Sequence, residues 1–442
     1  MFSVRIYLPV KLINKNCDWE KTLSVKGGIK MKRKVLLALS AILLGGMLLT
    51  GCGKSNEIEL FSSKAENKEI LQQLVDEFNA EHPETKIVIS APADAGTVLK
   101  TRLAKNDIPD ILALGGDNNY TEVQSAGVLE DLSAENFTSQ VQESYLQMVY
   151  DVNADKEQAA YGIPYATNAS GVLYNVDKFN ELGLTIPTTW DEFLDVIKKI
   201  EAAGEQPFVL TYKDNWTGLC AWNSMAPDLQ PEGFTDARQA GTTTFAETHQ
   251  EIADKYLEII SHGQEDFMGT TYDDGNKAFA NGQGVMMING NWAINQFKTA
   301  NADFNVDMFA FPASNDSAEN YVTSGVDVLF AASKDSKNLD VAKEFISFML
   351  EEENAKTYID NQFAFSAVKG VEQEETTVAG VKSDIAAGKV ANFPDHYYPA
   401  GFDLASLLSE YSLNYVNGMD NIENQKSFLA NCDEKYDIAN VD

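Results

Sequence analysis

The chain has 442 residues, with 34 Lys/Arg against 66 Asp/Glu and a formal charge of −32 at neutral pH; residues 1–52 hold nine of the basic and two of the acidic ones, so the 390 that follow carry −39. Such a surface repels nucleic acid, whose binding rests on Lys and Arg neutralising phosphates, and disfavours peripheral attachment to anionic lipid. After Cys52 only Arg102 and Arg238 remain, so a neutral or cationic ligand suits the chain better than a multiply anionic one.

In chain order, the first readable segment is MKRKVLLALSAILLGGMLLTGCGKS at residues 31–55. A basic patch at Lys32, Arg33 and Lys34 precedes an apolar run from Val35 to Leu49 that is too short to span a bilayer and ends in small residues. That is the pattern of a secretory signal at 31–51, with Met31 as the expected start and 1–30 lying upstream of it. Leu49-Thr50-Gly51-Cys52 resembles the bacterial lipobox, which implies a diacylglycerol on Cys52 and tethering at the extracellular face of the cytoplasmic membrane.

Ile58–Ser62 alternates as a short strand, and Ile70, Leu71, Leu74, Val75 and Phe78 then recur at helical spacing until His82-Pro83. Lys86–Ser90 reads as a strand, Val98, Leu99 and Leu103 as a helix, and Pro109–Leu114 as a third strand. This alternation predicts an α/β fold with a parallel sheet. Further on, Thr189 and Glu192 read as a capping box ahead of an amphipathic helix through Trp190, Phe193, Leu194, Ile197 and Ile200. Val285–Ile288 and Val326–Ala332 read as buried strands, and Val341–Leu350 and Leu404–Tyr415 as helices. Some 390 residues exceed what one core usually supports, which predicts two lobes. Cys220 and Cys432 are too few for a disulfide framework, although they are able to pair. The four histidines have no zinc-ligand spacing, and no GxxxxGK[ST] segment occurs.

Tyr161–Tyr165, Leu173-Tyr174-Asn175 and Pro187–Phe193, together with Phe279–Trp292 and the Leu339–Leu350 helix, resemble in order the sugar-type extracellular solute-binding proteins of ABC importers, relatives of maltose-binding protein. The resemblance implies a two-lobed, periplasmic-binding-protein-like α/β fold with three hinge crossovers, near Pro164–Asn168, Thr323–Gly325 and Gln362–Ser366. The lobes implied are residues 57–164 with 325–362, and 165–324 with 363–442.

A sugar offers apolar C–H faces and a rim of hydroxyls, so its binder needs aromatic platforms and short polar groups around a cleft. Matching the family residue by residue, Trp292 is the expected stacking platform, and Trp216 falls where a second is placed. Ser63 and Lys64 after the first strand, Asp117 and Asn118 after the third, Asn168 in the first crossover, and Tyr398 and Phe402 near the end are further expected ligand contacts. Capping of a following helix is an equally open role for Ser63 and for Asp117 or Asn118. Asp327, a carboxylate inside an apolar strand, is expected to face the cleft.

The function implied is capture of a sugar or oligosaccharide by a lipid-anchored monomer that passes it to a permease driven by a cytoplasmic ATPase. No catalysis, metal or other cofactor is expected, nor any membrane contact beyond the anchor. The acidic, arginine-poor composition leaves room for a binder of cationic solutes such as polyamines. A tethered glycoside hydrolase, which needs a carboxylate pair, is the other alternative.

Overall fold

The computed structural model describes residues 57–440 apart from Glu66, Ala93 and Ala400, so the expected signal segment and Cys52 fall outside the described residues. Eleven strands are described: β1 (Glu57–Ser62), β2 (Lys86–Ser90), β3 (Ile111–Leu114), β4 (Ile163–Thr167), β5 (Ser170–Asn175), β6 (Met286–Gly290), β7 (Val306–Phe309), β8 (Val322–Thr323), β9 (Val326–Ala332), β10 (Phe365–Ser366) and β11 (Val390–Ala391). They form two sheets, one ordered β10-β4-β9-β3-β1-β2 and the other β11-β8-β5-β6 with β7 also on β5. Helices cover these sheets, giving the two-lobed α/β architecture expected. No described helix is long and apolar enough to cross a membrane.

Sheet direction differs in part from the expected parallel arrangement. β1 pairs in parallel with β2 and β3, and β8 with β11, whereas β9 runs antiparallel to both β3 and β4. The reason lies in the chain path. β9 enters the first sheet from the second lobe, so it starts at the edge where β1 ends, and the two must run in opposite directions. In the second sheet β5 is antiparallel to β6, β7 and β8.

The helical period at the start of the chain becomes the helix Lys68–Glu81, whose Ile70, Leu71, Leu74, Val75 and Phe78 are buried. Phe78 meets Phe345 and Phe348 edge-on at 5.3 and 5.4 Å, joining this helix to Leu339–Met349 over the first sheet. The helix Trp190–Ala202 begins at Thr189, whose hydroxyl accepts the Glu192 N–H at 3.4 Å. Glu192 reaches back to the Thr188 N–H and hydroxyl at 2.8 and 3.0 Å, one residue before the expected partner. A complete capping box stands instead at Thr244 and Glu247. In the second lobe, Phe193, Phe208, Trp222, Tyr256 and Phe428 form one apolar cluster, and Leu173, Phe279, Met287 and Phe297 another. Cys220 and Cys432 are both free and buried.

The chain changes sheets at Asn168–Ala169, between β4 and β5, and at Ser324–Gly325, between β8 and β9. The third change follows Ser366, because β10 still pairs with β4. The expected lobe boundaries at 164/165 and 362/363 therefore precede the observed changes by a few residues, since strand pairing holds β4 and β10 in the first sheet. The first two crossings are bonded to each other. The Asn168 side-chain oxygen accepts the Gly325 N–H at 3.0 Å, and the Ser324 hydroxyl donates to the Asn168 carbonyl at 2.5 Å. Asn291 ties in the segment leading to the third. It accepts the Ala169 N–H at 2.8 Å and donates to the Phe363 carbonyl at 2.9 Å.

Candidate ligand-binding cleft

Between the sheets, beside the crossings, lies a cavity of about 740 Å³. That is within the usual range for small-molecule sites. Five of the expected residues converge on it: Lys64, Asn168, Trp216, Trp292 and Asp327. Lys64 follows the end of β1, and Asp327 occupies the second position of β9, which runs the opposite way with β3 between them, so both stand at the same end of the sheet. The Lys64 ammonium pairs with the Asp327 carboxylate, which also accepts from the Asn168 amide at 3.3 Å. A carboxylate among apolar neighbours is thus paired and hydrogen-bonded as burial requires.

Aromatic surface comes from the second lobe. Trp292 sits in a short 3₁₀ turn (Asn291–Ala293) directly after β6. Its ring lies against the backbone of Gly290, where an added Cβ would stand only 2.1 Å from the ring carbon Cζ3. Trp216, at the N-terminus of the helix Thr217–Leu229, is 39% exposed and meets the Tyr272 ring edge-on at 4.9 Å. Phe393 closes the same wall, 6.4 Å from Trp292.

Several polar atoms in this wall have no protein partner. The Trp292 indole nitrogen, the Asn223 side-chain oxygen and the His396 Nδ1 are all buried without a hydrogen bond. The Asn223 amide nitrogen is held by Asp395 at 2.8 Å, which fixes the direction of its free oxygen. Burying a polar group unpaired is unfavourable unless something satisfies it. Donors and acceptors beside flat rings are what a polyhydroxylated ring requires. Cys220 also lines the cavity, but burial pushes its thiol up to about 12, so it stays protonated and unreactive.

The other expected contacts lie elsewhere. The Ser63 N–H donates to the Ala113 carbonyl at 2.9 Å, extending the pairing of β1 with β3. Asp117 caps the helix Asn118–Ser125, accepting the Asn119 N–H at 2.9 Å. Asn118 lines a different cavity. Tyr398 and Phe402, 4% and 8% exposed, pack with Phe245 and Tyr436 in the second core. The neighbouring residues that do reach the cleft are Phe393, Asp395 and His396. Sequence reasoning passed over these three, and also Asn223, Tyr272, Asn295, Gln296 and Gln362. Their local signal was the unexplained aromatic–acid–histidine run Phe393–His396 between turns.

Residues 62–356 match the model of the family described as bacterial extracellular solute-binding protein. The multiple sugar-binding protein of Streptococcus mutans is 30% identical over 370 residues, covering 79% of this chain and 86% of that protein. Among solved structures, the apo form of RafE from Streptococcus pneumoniae superposes with a TM-score of 0.74 at 27% identity, covering 85% of this chain and 98% of RafE. A structure of RafE in complex with raffinose gives a TM-score of 0.71 at 25% identity, over 87% and 100% of the two chains.

Proposed function

The chain belongs to the bacterial extracellular solute-binding proteins, and from that premise we propose that it captures a neutral sugar or oligosaccharide in the cleft between its lobes. The observation that carries this reading is the wall formed by Trp216, Tyr272, Trp292 and Phe393 with unpaired polar atoms set among the rings. The two relatives whose names speak of sugar and raffinose support it. Hinge closure about the three crossings engages Lys64 and Asp327 from the first lobe, and the loaded protein passes its cargo to a membrane permease. The lipobox at Cys52 holds it near that partner.

A cationic solute is the weaker reading. Of the cleft carboxylates, Asp327 is already neutralised by Lys64 and Asp395 is engaged by Asn223. Asp327 is therefore not left for an ammonium group, and the Asn223 amide orients Asp395 without neutralising it.

The test is a thermal-shift screen against a carbohydrate panel. A ligand at 100 times its dissociation constant stabilises the fold by about 2.7 kcal/mol. Trp292→Ala abolishes the shift while leaving the unliganded melting temperature nearly unchanged. A shift that survives this substitution removes Trp292 from the site.

A further inference from the structure

Behind the Trp216–Tyr272 pair the second lobe holds another cavity of about 550 Å³. It lies between the helix Tyr272–Ala280 and the helix Ile294–Ala300. Asn295 and Gln296 line both this cavity and the main cleft, and both are exposed. The two spaces therefore meet at a pair of flexible amides.

The lining is unusual for a surface dent. Asn276, only 1% exposed, donates to the Gln296 side-chain oxygen at 2.6 Å, while its own side-chain oxygen is buried with no partner. The Asn281 amide nitrogen donates to the Lys277 carbonyl at 2.7 Å, and its oxygen accepts from no described residue. The Asn295 side chain makes no hydrogen bond to any described residue. Four primary amides thus converge on one space, with acceptors left open. An amide offers donors and an acceptor together, as a hydroxyl does, which matches a polyol better than an ion. The charged rim is balanced, one Asp273 against one Lys277.

We propose that this cavity is a second carbohydrate subsite, so that the ligand is an oligosaccharide whose first rings stack in the cleft and whose next ring rests among Asn276, Asn281, Asn295 and Gln296. The inference rests on the sugar-capture reading. Every residue of the subsite belongs to the second lobe, so it contributes whether or not the lobes are closed. It also sets length selectivity, because shorter sugars leave it unfilled.

Isothermal titration of the whole protein with raffinose and stachyose, and with maltotriose and maltotetraose, tests this. In the series that binds, the tetrasaccharide binds at least about fivefold tighter than the trisaccharide. Thr299→Trp, which fills the cavity from an exposed position, and Asn281→Ala both bring that ratio close to one, with trisaccharide affinity and melting temperature retained. Equal affinity for both lengths in the unsubstituted protein, or a ratio that survives both substitutions, overturns the subsite and leaves the cleft reading standing. If no trisaccharide or tetrasaccharide of either series binds, the subsite falls, while the carbohydrate panel decides the cleft reading separately.

Discussion

At the scale of single residues, the position of Trp292 is set by what is missing beside it. Gly290 has φ −122° and ψ 174°, backbone values open to any residue, so its role is not conformational. What it supplies is space, since the indole occupies the room a Cβ would take. Gly290→Ala is therefore expected to displace the ring without straining the backbone. Ligand affinity falls at least about tenfold, and titration of the folded variant checks it.

His249 is a second residue whose surroundings dictate behaviour. It is fully buried, stacked on Trp222 at 5.8 Å and flanked by Phe234 and Phe245, with Nε2 unpartnered. Burial lowers its pKa to about 3. The unfolded chain takes up a proton below about pH 6.5 that the folded protein refuses until about 3. Stability is thus retained above pH 6.5 and lost as pH falls through that window, by about 1.4 kcal/mol per unit. His249→Phe removes this contribution, so the fall in unfolding free energy between pH 7 and pH 5, read from urea titrations, is expected to be smaller in the variant. Parallel pH profiles would show that the ring is not held neutral.

At the scale of elements, the same physical signal explains both what was legible in the sequence and what was not. A helix with one buried face writes its period into the chain, as Ile70, Leu71, Leu74, Val75 and Phe78 do. The helix Thr217–Leu229 is buried almost all round, from Thr217 to Ala226, so no period marks Asn223 as the residue that turns to the cleft. Trp292 stood out because it follows a strand and a glycine, where a helix should begin, and matches the stacking tryptophan of the family it resembles. In the segment 393–402, loop residues have no period at all, and Phe393 rather than Tyr398 or Phe402 faces the cavity. The parallel-sheet expectation was correct for β1, β2 and β3, from which it was read, and failed at β9, because adjacency of β9 depends on a crossing that local pattern does not encode.

The crossings themselves carry an element-scale prediction. Asn291 holds the Ala169 N–H and the Phe363 carbonyl, and Phe363 adopts a left-handed conformation (φ 51°) at the end of the helix Glu352–Gln362. Asn291→Ala leaves the buried Ala169 N–H without its side-chain partner, a loss of about 1–3 kcal/mol. The denaturation midpoint is expected to drop accordingly, and an unchanged midpoint would mean the clamp bears no strain.

At the scale of the whole molecule, the acidic charge and the cleft are separate matters. Both arginines after Cys52 serve the fold: Arg102 grips Glu59 through two contacts of 2.6 and 2.7 Å, and Arg238 bonds Asp437 at 2.6 Å while lying over the Tyr436 ring at 4.4 Å. Neither lines the cleft. Among the described residues lining the cleft, Lys64 is the one Lys or Arg, and it is paired with Asp327. The prediction is an affinity nearly independent of ionic strength, changing less than about twofold between about 0.05 and 0.5 M salt. A steep decline would point to a cationic solute and against a sugar.

The cleft is also lopsided. Trp216, Tyr272, Trp292 and Phe393 all come from the lobe built on the second sheet, whereas the first contributes no aromatic ring to the lining, only Lys64, Asp327, Gln362 and Ala364. On the proposed reading, in which the lobes close on a sugar, stacking on the aromatic wall precedes contact with the opposite lobe. That order of events would let one half of the molecule govern encounter and the other residence time. Specificity for a new sugar is open to change on the aromatic side alone, leaving the lock on departure as it was.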